Sequence, residues 1–278
     1  MVDLNNTHKT GSNDKNKTIM LIHGLWMTPK SWELFKQRFQ WLGYKVTAPA
    51  WPGHEGDIED VRRNAPEKIA DLGIGDVIEY YKDILSKMDE QPVIIGHSFG
   101  GLVTQVLIDK GLGAAGVGLD AAAPKGVHKL TYAELKSTFP VLSRPGNRHK
   151  AVALTIEQFH YGFANNMNEA DTKKAYDLYA VPDTGKPIFE SLFDDFNRNA
   201  PDTINYKNSN RSPILLIAGE NDHTVPAAVS KSNYDKYSES NAVTDFHEFK
   251  GRSHLIMLEE GWEEVVDYID NWIKTALK

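Results

Sequence analysis

The run Val93-Ile94-Ile95-Gly96-His97-Ser98-Phe99-Gly100-Gly101 sets a serine between two glycines, directly behind a short apolar stretch. A serine hydroxyl attacks well only when it stands on a sharp strand-to-helix turn within reach of a base. The residues two before and two after it must then be small, and Gly96 and Gly100 hold those places. The same turn sets the Phe99 N–H at a helix N-terminus, where it can face a developing oxyanion. Three further segments supply what such a serine needs. In His23-Gly24-Leu25-Trp26, the Gly24 turn offers the Leu25 N–H as a second oxyanion donor. Asp222 lies in Ala218-Gly219-Glu220-Asn221-Asp222-His223-Thr224-Val225-Pro226 and is the expected acid, with Glu220 and Asp120 as rivals. His254 is the only one of the 10 histidines in the last strand-to-helix loop, downstream of both Ser98 and the acid. Together these residues point to nucleophilic acyl transfer.

The elements that must position them follow from hydrophobic patterning. Strands are predicted at 18–22, 45–50, 93–97, 115–119, 212–219 and 243–249. Helices are predicted at about 29–42, 74–88, 102–112 and 261–277. In the second of these, Ile74, Val77, Ile78, Tyr81, Ile84 and Leu85 recur at 3–4 spacing and mark one buried face. Strands that are apolar throughout and alternate with helices imply a parallel sheet covered on both faces. Each candidate residue then falls at a different strand's C-terminal end, where open parallel sheets build their sites. The proline- and aromatic-rich interval 122–211 breaks the rhythm and reads as a helical lid inserted into a core of residues 18–121 and 212–278. Residues 1–17 are polar and read as a flexible tail.

Composition narrows the function classes. A chain of 278 residues with 41% hydrophobic and 25% charged residues is that of an ordinary globular protein. A net charge of −7 without a basic stripe argues against nucleic acid. The absence of cysteine excludes disulfides, thiolate metal sites and a cysteine nucleophile. No leader and no membrane span is evident, so a cytoplasmic location is expected. Neither His160, His247 nor the scattered acids show ligand spacing, so no metal and no cofactor are expected.

The chain resembles the α/β-hydrolase-fold serine hydrolases of the esterase, lipase and haloperoxidase-like group. The resemblance rests on His23-Gly24, Trp51-Pro52-Gly53-His54, Gly96-His97-Ser98-Phe99-Gly100-Gly101, Ala218-Gly219 with Asp222 and Val225-Pro226, and Ser253-His254. It covers about residues 18–121 and 212–277. It implies a three-layer αβα sandwich around a mostly parallel six-stranded sheet, with the opening antiparallel hairpin missing. The order Ser98, Asp222, His254 is that of this fold. Ser253 departs from the pattern, standing where a glycine commonly precedes the histidine.

The resemblance also implies a mechanism. His254 takes the Ser98 proton, Asp222 holds the useful tautomer, and the N–H groups of Leu25 and Phe99 stabilise the tetrahedral oxyanion. A small ester-like substrate, apolar or aromatic, is expected against Trp26, Met27, Phe159, Tyr161, Val225 and Leu255. A homodimer is left open. The alternatives are a ligand receptor or interaction protein on the same fold, or a lyase, perhydrolase or C–C hydrolase using the same three residues.

Overall fold

The computed structural model describes residues 17–193 and 197–278 except 128 and 130, with nothing said of the side chains of 64–66. The expected tail at 1–17 therefore lies, but for Lys17, outside the described residues. The central sheet is built from β1 (Thr18–Ile22), β2 (Lys45–Thr47), β3 (Val93–His97), β4 (Ala115–Leu119), β7 (Ile214–Gly219) and β8 (Thr244–Phe249), in the order β2-β1-β3-β4-β7-β8. Every pairing in it is parallel. Among the described residues no antiparallel hairpin precedes β1.

Side chains alternate across this sheet because the strand period is two. Met20, Ile22 and Ile94 face one layer, in a core shared with α3 (Ile74–Ser86) and α4 (Phe99–Asp109). Ile19, Leu21, Val93, Ile95, Val117, Leu215 and Ile217 face the other layer. There they meet Phe35 and Phe39 of α1 (Glu33–Trp41) and Val265, Ile269 and Ile273 of α10 (Trp262–Ala276). Each such aliphatic or aromatic side chain, fully removed from water, contributes about 1.5–3 kcal/mol. Helices on both faces leave only the strand ends open, and in open parallel sheets sites are built at the C-terminal ones.

Two further helices complete this frame: α2 (Ile58–Ile69) and α9 (Ala227–Lys236). Neither is predicted from the sequence. In α2 the apolar residues are few and interrupted by Pro66; among the described side chains Val61 and Ile69 are buried, and the helix start is fixed by Asp57 accepting from Asp60 N–H. The predicted helix at 102–112 begins three residues earlier, at Phe99, because the elbow itself starts the helix.

Between β4 and β7 the chain runs through α5 (Tyr132–Leu142), α6 (Ile156–Gly162), α7 (Glu169–Tyr179) and α8 (Lys186–Phe193). A two-stranded antiparallel pair, β5 (Ala151–Val152) with β6 (Asp183–Thr184), joins them. This insert binds back to the strand-end loops. Asn165 and Asn166 donate to the carbonyls of Asn221 and Gly251, and the Thr224 hydroxyl donates to Gly162 O.

Candidate active site

Ser98 occupies the turn between β3 and α4 with φ 54° and ψ −119°, a left-handed conformation that serine rarely adopts. The turn is held by three bonds to one carbonyl: Gly101, Leu102 and Ala122 N–H groups donate to Ser98 O. Its own N–H donates to Leu119 O at 2.9 Å. Close approach explains the glycines. A Cβ on Gly96 would lie 2.1 Å from Gly100 O, and one on Gly100 would lie 2.3 Å from Ile22 O. The β1 loop passes equally near, since a Cβ on Gly24 would come 3.0 Å from Ser98 Cβ. Ser98 is 8% exposed.

The sheet order sets the other residues around this serine. Leu25 follows the strand on one side of β3, Asp120 the strand on the other, and Asp222 and His254 follow β7 and β8. The Leu25 and Phe99 N–H groups donate to nothing among the described residues, so both are free to hold an oxyanion. The Asp222 carboxylate accepts from His254 Nδ1 at 2.7 Å, and its other oxygen accepts from the Thr224 and Val225 N–H groups at 2.7 and 2.8 Å. Both side chains are fully buried. With Nδ1 donating, His254 Nε2 carries the lone pair, and that nitrogen has no partner. The arrangement leaves an imidazole able to take one proton at a single defined atom.

Of the three acids weighed in the sequence, only Asp222 reaches the imidazole. Glu220 points outward to Lys250 Nζ and Gly251 N–H. Asp120 is fully buried with φ 44° and accepts from Gly219 N–H at 2.6 Å. Burial first, then the charge of Asp222, pushes its carboxyl well above the usual carboxylate range. His97, Asp120 and His254 bring potential ligand atoms within 4.8 Å of one another, a cluster that sequence spacing does not reveal. His254 Nδ1 is bound to Asp222 and His97 Nε2 to a carbonyl, whereas His97 Nδ1, His254 Nε2 and Asp120 Oδ2 have no partner among the described residues.

Several residues that hold His254 escape a reading of sequence. His97 donates from Nε2 to His254 O at 2.8 Å, with ring centroids 4.6 Å apart. Burial, then the neighbouring His254, keeps His97 well below the ordinary imidazole range and therefore neutral. The Glu259 carboxylate accepts from Ser253 N–H at 3.1 Å with each oxygen. Ser253 Oγ reaches both that carboxylate and Phe163 O, its one proton serving either. Phe163 O also accepts from Leu255 N–H at 3.1 Å, while the Phe163 ring stands edge-on to His254 at 5.0 Å. Ser253 thus keeps an ordinary φ and uses its hydroxyl where a glycine would offer nothing.

The other residues named from the sequence are placed as follows. Phe159 is buried and stacked on Phe163 at 5.2 Å. Trp26 is buried edge-on to Phe163 at 6.1 Å, and Met27 is buried in the same core. Val225 and Leu255 are buried beside Asp222 and Phe163 through their N–H groups. Tyr161 lies further out, its ring against His223 and under Lys136 Nζ at 3.9 Å.

The sequence pattern of the alpha/beta hydrolase family matches residues 19–268. The chain belongs to that family. Among solved structures, it is similar to a monoacylglycerol lipase of Paleococcus ferrophilus, with 21% identity, a TM-score of 0.66, and 93% of this chain and 94% of that one covered. It is also similar to an extracellular alpha/beta-hydrolase from a Paenibacillus species, with 21% identity, a TM-score of 0.67, and 94% and 100% covered. A methylesterase from Arabidopsis aligns at 13% identity with a TM-score of 0.64 over 93% and 99%. No curated protein sequence matches the chain significantly. At these identities the structural likeness establishes the fold. Among the described residues, no helix is long and apolar enough to cross a membrane.

Proposed function

We propose that this alpha/beta hydrolase is a serine hydrolase that cleaves a carboxylic ester, or a related acyl bond, of a small apolar or aromatic molecule. The observation that carries the reading is the His254 imidazole, bound to Asp222 through Nδ1 at 2.7 Å and unpartnered at Nε2, its carbonyl held by His97, the residue that precedes the left-handed Ser98. In this reading Ser98 Oγ attacks the acyl carbon as His254 Nε2 takes its proton. The oxyanion forms against the Leu25 and Phe99 N–H groups. His254 then gives the proton to the leaving oxygen, and water attacks the acyl-enzyme by the reverse sequence. Two backbone donors are worth a great deal here, since removing one such donor costs about 2.7–4 kcal/mol of barrier.

The names of the similar structures, a lipase and a methylesterase, support the ester class. We take the insert at 122–211 as the lid that closes over this site, with Phe159, Phe163 and Trp26 giving the apolar lining.

A fluorophosphonate probe tests the reading. It is expected to label Ser98 alone, and Ser98→Ala is expected to lower hydrolysis of p-nitrophenyl butyrate by about 10³-fold or more. Full activity in that variant would overturn the assignment. A wild-type protein that the probe does not label would favour a binding protein on the same fold.

A further inference from the structure

The β1 loop carries a second residue in the left-handed region, Trp26 at φ 62°. For a bulky aromatic this is a strained conformation that persists only where the surroundings enforce it. Here the insert enforces it through every polar group of Trp26. The backbone N–H donates to Asp183 Oδ2 at 2.8 Å, the backbone carbonyl accepts from Val181 N–H at 3.0 Å, and the indole Nε1–H donates to Val152 O at 2.9 Å. All three partners lie in or next to the β5–β6 pair, 126 to 157 residues away in sequence.

Asp183 is itself fixed. It is fully buried, accepts from Thr184 N–H at 2.7 Å through Oδ1, and lies 3.1 Å from His54 Nε2. Trp51 Nε1 stands 3.1 Å from the same His54 nitrogen, and the Trp51 ring packs 3.9 Å from that of His23. His23 precedes the Gly24-Leu25 turn, so the chain is held on both flanks of the Leu25 N–H. Burial, then His54, keeps His23 well below the ordinary imidazole range, and its Nδ1 donates to Gly24 O at 3.0 Å.

We propose that Asp183 is a positioning residue for the oxyanion hole: by accepting the Trp26 N–H from the insert, it fixes the Leu25–Trp26 peptide and, through it, the orientation of the adjoining Gly24–Leu25 peptide that carries the Leu25 donor. The proposal rests on the reading of Ser98 as nucleophile and Leu25 as oxyanion donor. Asp183 touches no substrate in this account. Its effect reaches the reaction through the left-handed Trp26, and so appears in the transition state rather than in ground-state binding.

The test compares wild type, Asp183→Ala, Asp183→Asn and Ser98→Ala on p-nitrophenyl butyrate, together with inhibition by an alkyl trifluoromethyl ketone, which places an oxyanion in the hole. Asp183→Ala is expected to lose about 10²-fold in kcat, with KM changed less than about threefold and ketone inhibition weakened in parallel with kcat. Asp183→Asn keeps a neutral acceptor and is expected to recover all but about three- to tenfold of both. Should the alanine variant not fold, the asparagine variant decides alone: wild-type kcat and wild-type ketone affinity would overturn the proposal. A rise in KM at unchanged kcat would overturn it too. If Ser98→Ala stays fully active, the underlying reading fails; if that variant is inactive while the Asp183 variants match wild type, only the role of Asp183 fails.

Discussion

His97 donates its Nε2–H to the backbone carbonyl of His254, so the residue preceding the serine holds the residue that would activate it. The end of β3 and the loop after β8 are thereby joined by a buried bond 157 residues apart in sequence. Removing His97 leaves the His254 carbonyl without that partner. His97→Ala is expected to cost about 1–3 kcal/mol in urea unfolding, and to lower kcat more than it changes KM. An unchanged unfolding midpoint together with wild-type kcat would contradict this.

Ser253 gives a second expectation. Its hydroxyl joins the His254 loop to the Glu259 carboxylate and to the Phe163 carbonyl. Ser253→Ala should lose about 1–2 kcal/mol of stability and several-fold in kcat. Ser253→Gly should do no better, although glycine commonly stands here in the family, because this backbone has an ordinary φ. Thermal unfolding and steady-state kinetics on the two variants check this ordering.

Gly100 and Gly146 make a matched pair for the elbow. A Cβ at Gly100 would lie 2.3 Å from Ile22 O and 2.6 Å from His23 O, whereas one at Gly146 would meet nothing within 4 Å. Gly100→Ala is expected to lose more than about 3 kcal/mol or fail to fold, and Gly146→Ala to stay within about 0.5 kcal/mol of wild type. Equal melting temperatures for the two would refute the steric account of the turn.

Glu134 supplies a pH dependence. Burial is the main cause that raises its carboxyl from 4.5 to about 7, and the charge of Asp222 adds to it. The folded state therefore binds this proton more tightly than the unfolded chain does. The stability it contributes is complete below about pH 4.5 and is lost as pH rises through about 7. Glu134→Gln removes that loss, so its advantage over wild type should grow from near zero at pH 4.5 to on the order of 2 kcal/mol at pH 8. Denaturant titrations at the two pH values test it, and a difference independent of pH would exclude Glu134 as the cause.

How much of this was legible in the sequence depends on how local the signal is. β1, β3, β4 and β7 are short apolar runs bounded by turn residues, so patterning finds them within a residue or two. The Ser98 turn and the Asp222–His254 bond were legible as candidates because each of these residues stands past a strand in a loop of distinctive composition. Phe163, Asp183 and Glu259 were not. Each acts through a bond whose partner is set by the path of the insert, and β5 and β6, at two residues each, carry no periodicity. His97 lay within the motif itself, but its role depends on where the β8 loop arrives. Only the folded chain shows that its ring faces the His254 carbonyl.

The acceptor that brackets His254 from Ser253 and Leu255 is the main-chain oxygen of Phe163, not its side chain. Drift at position 163 can therefore exchange the aromatic ring, which the proposed function sets in the apolar lining, without cutting this attachment. An insertion or deletion in the Gly162–Ala164 stretch has no such freedom, because it moves the carbonyl itself. Laboratory evolution of specificity is thus best directed at side chains around position 163, with the length of that stretch held constant.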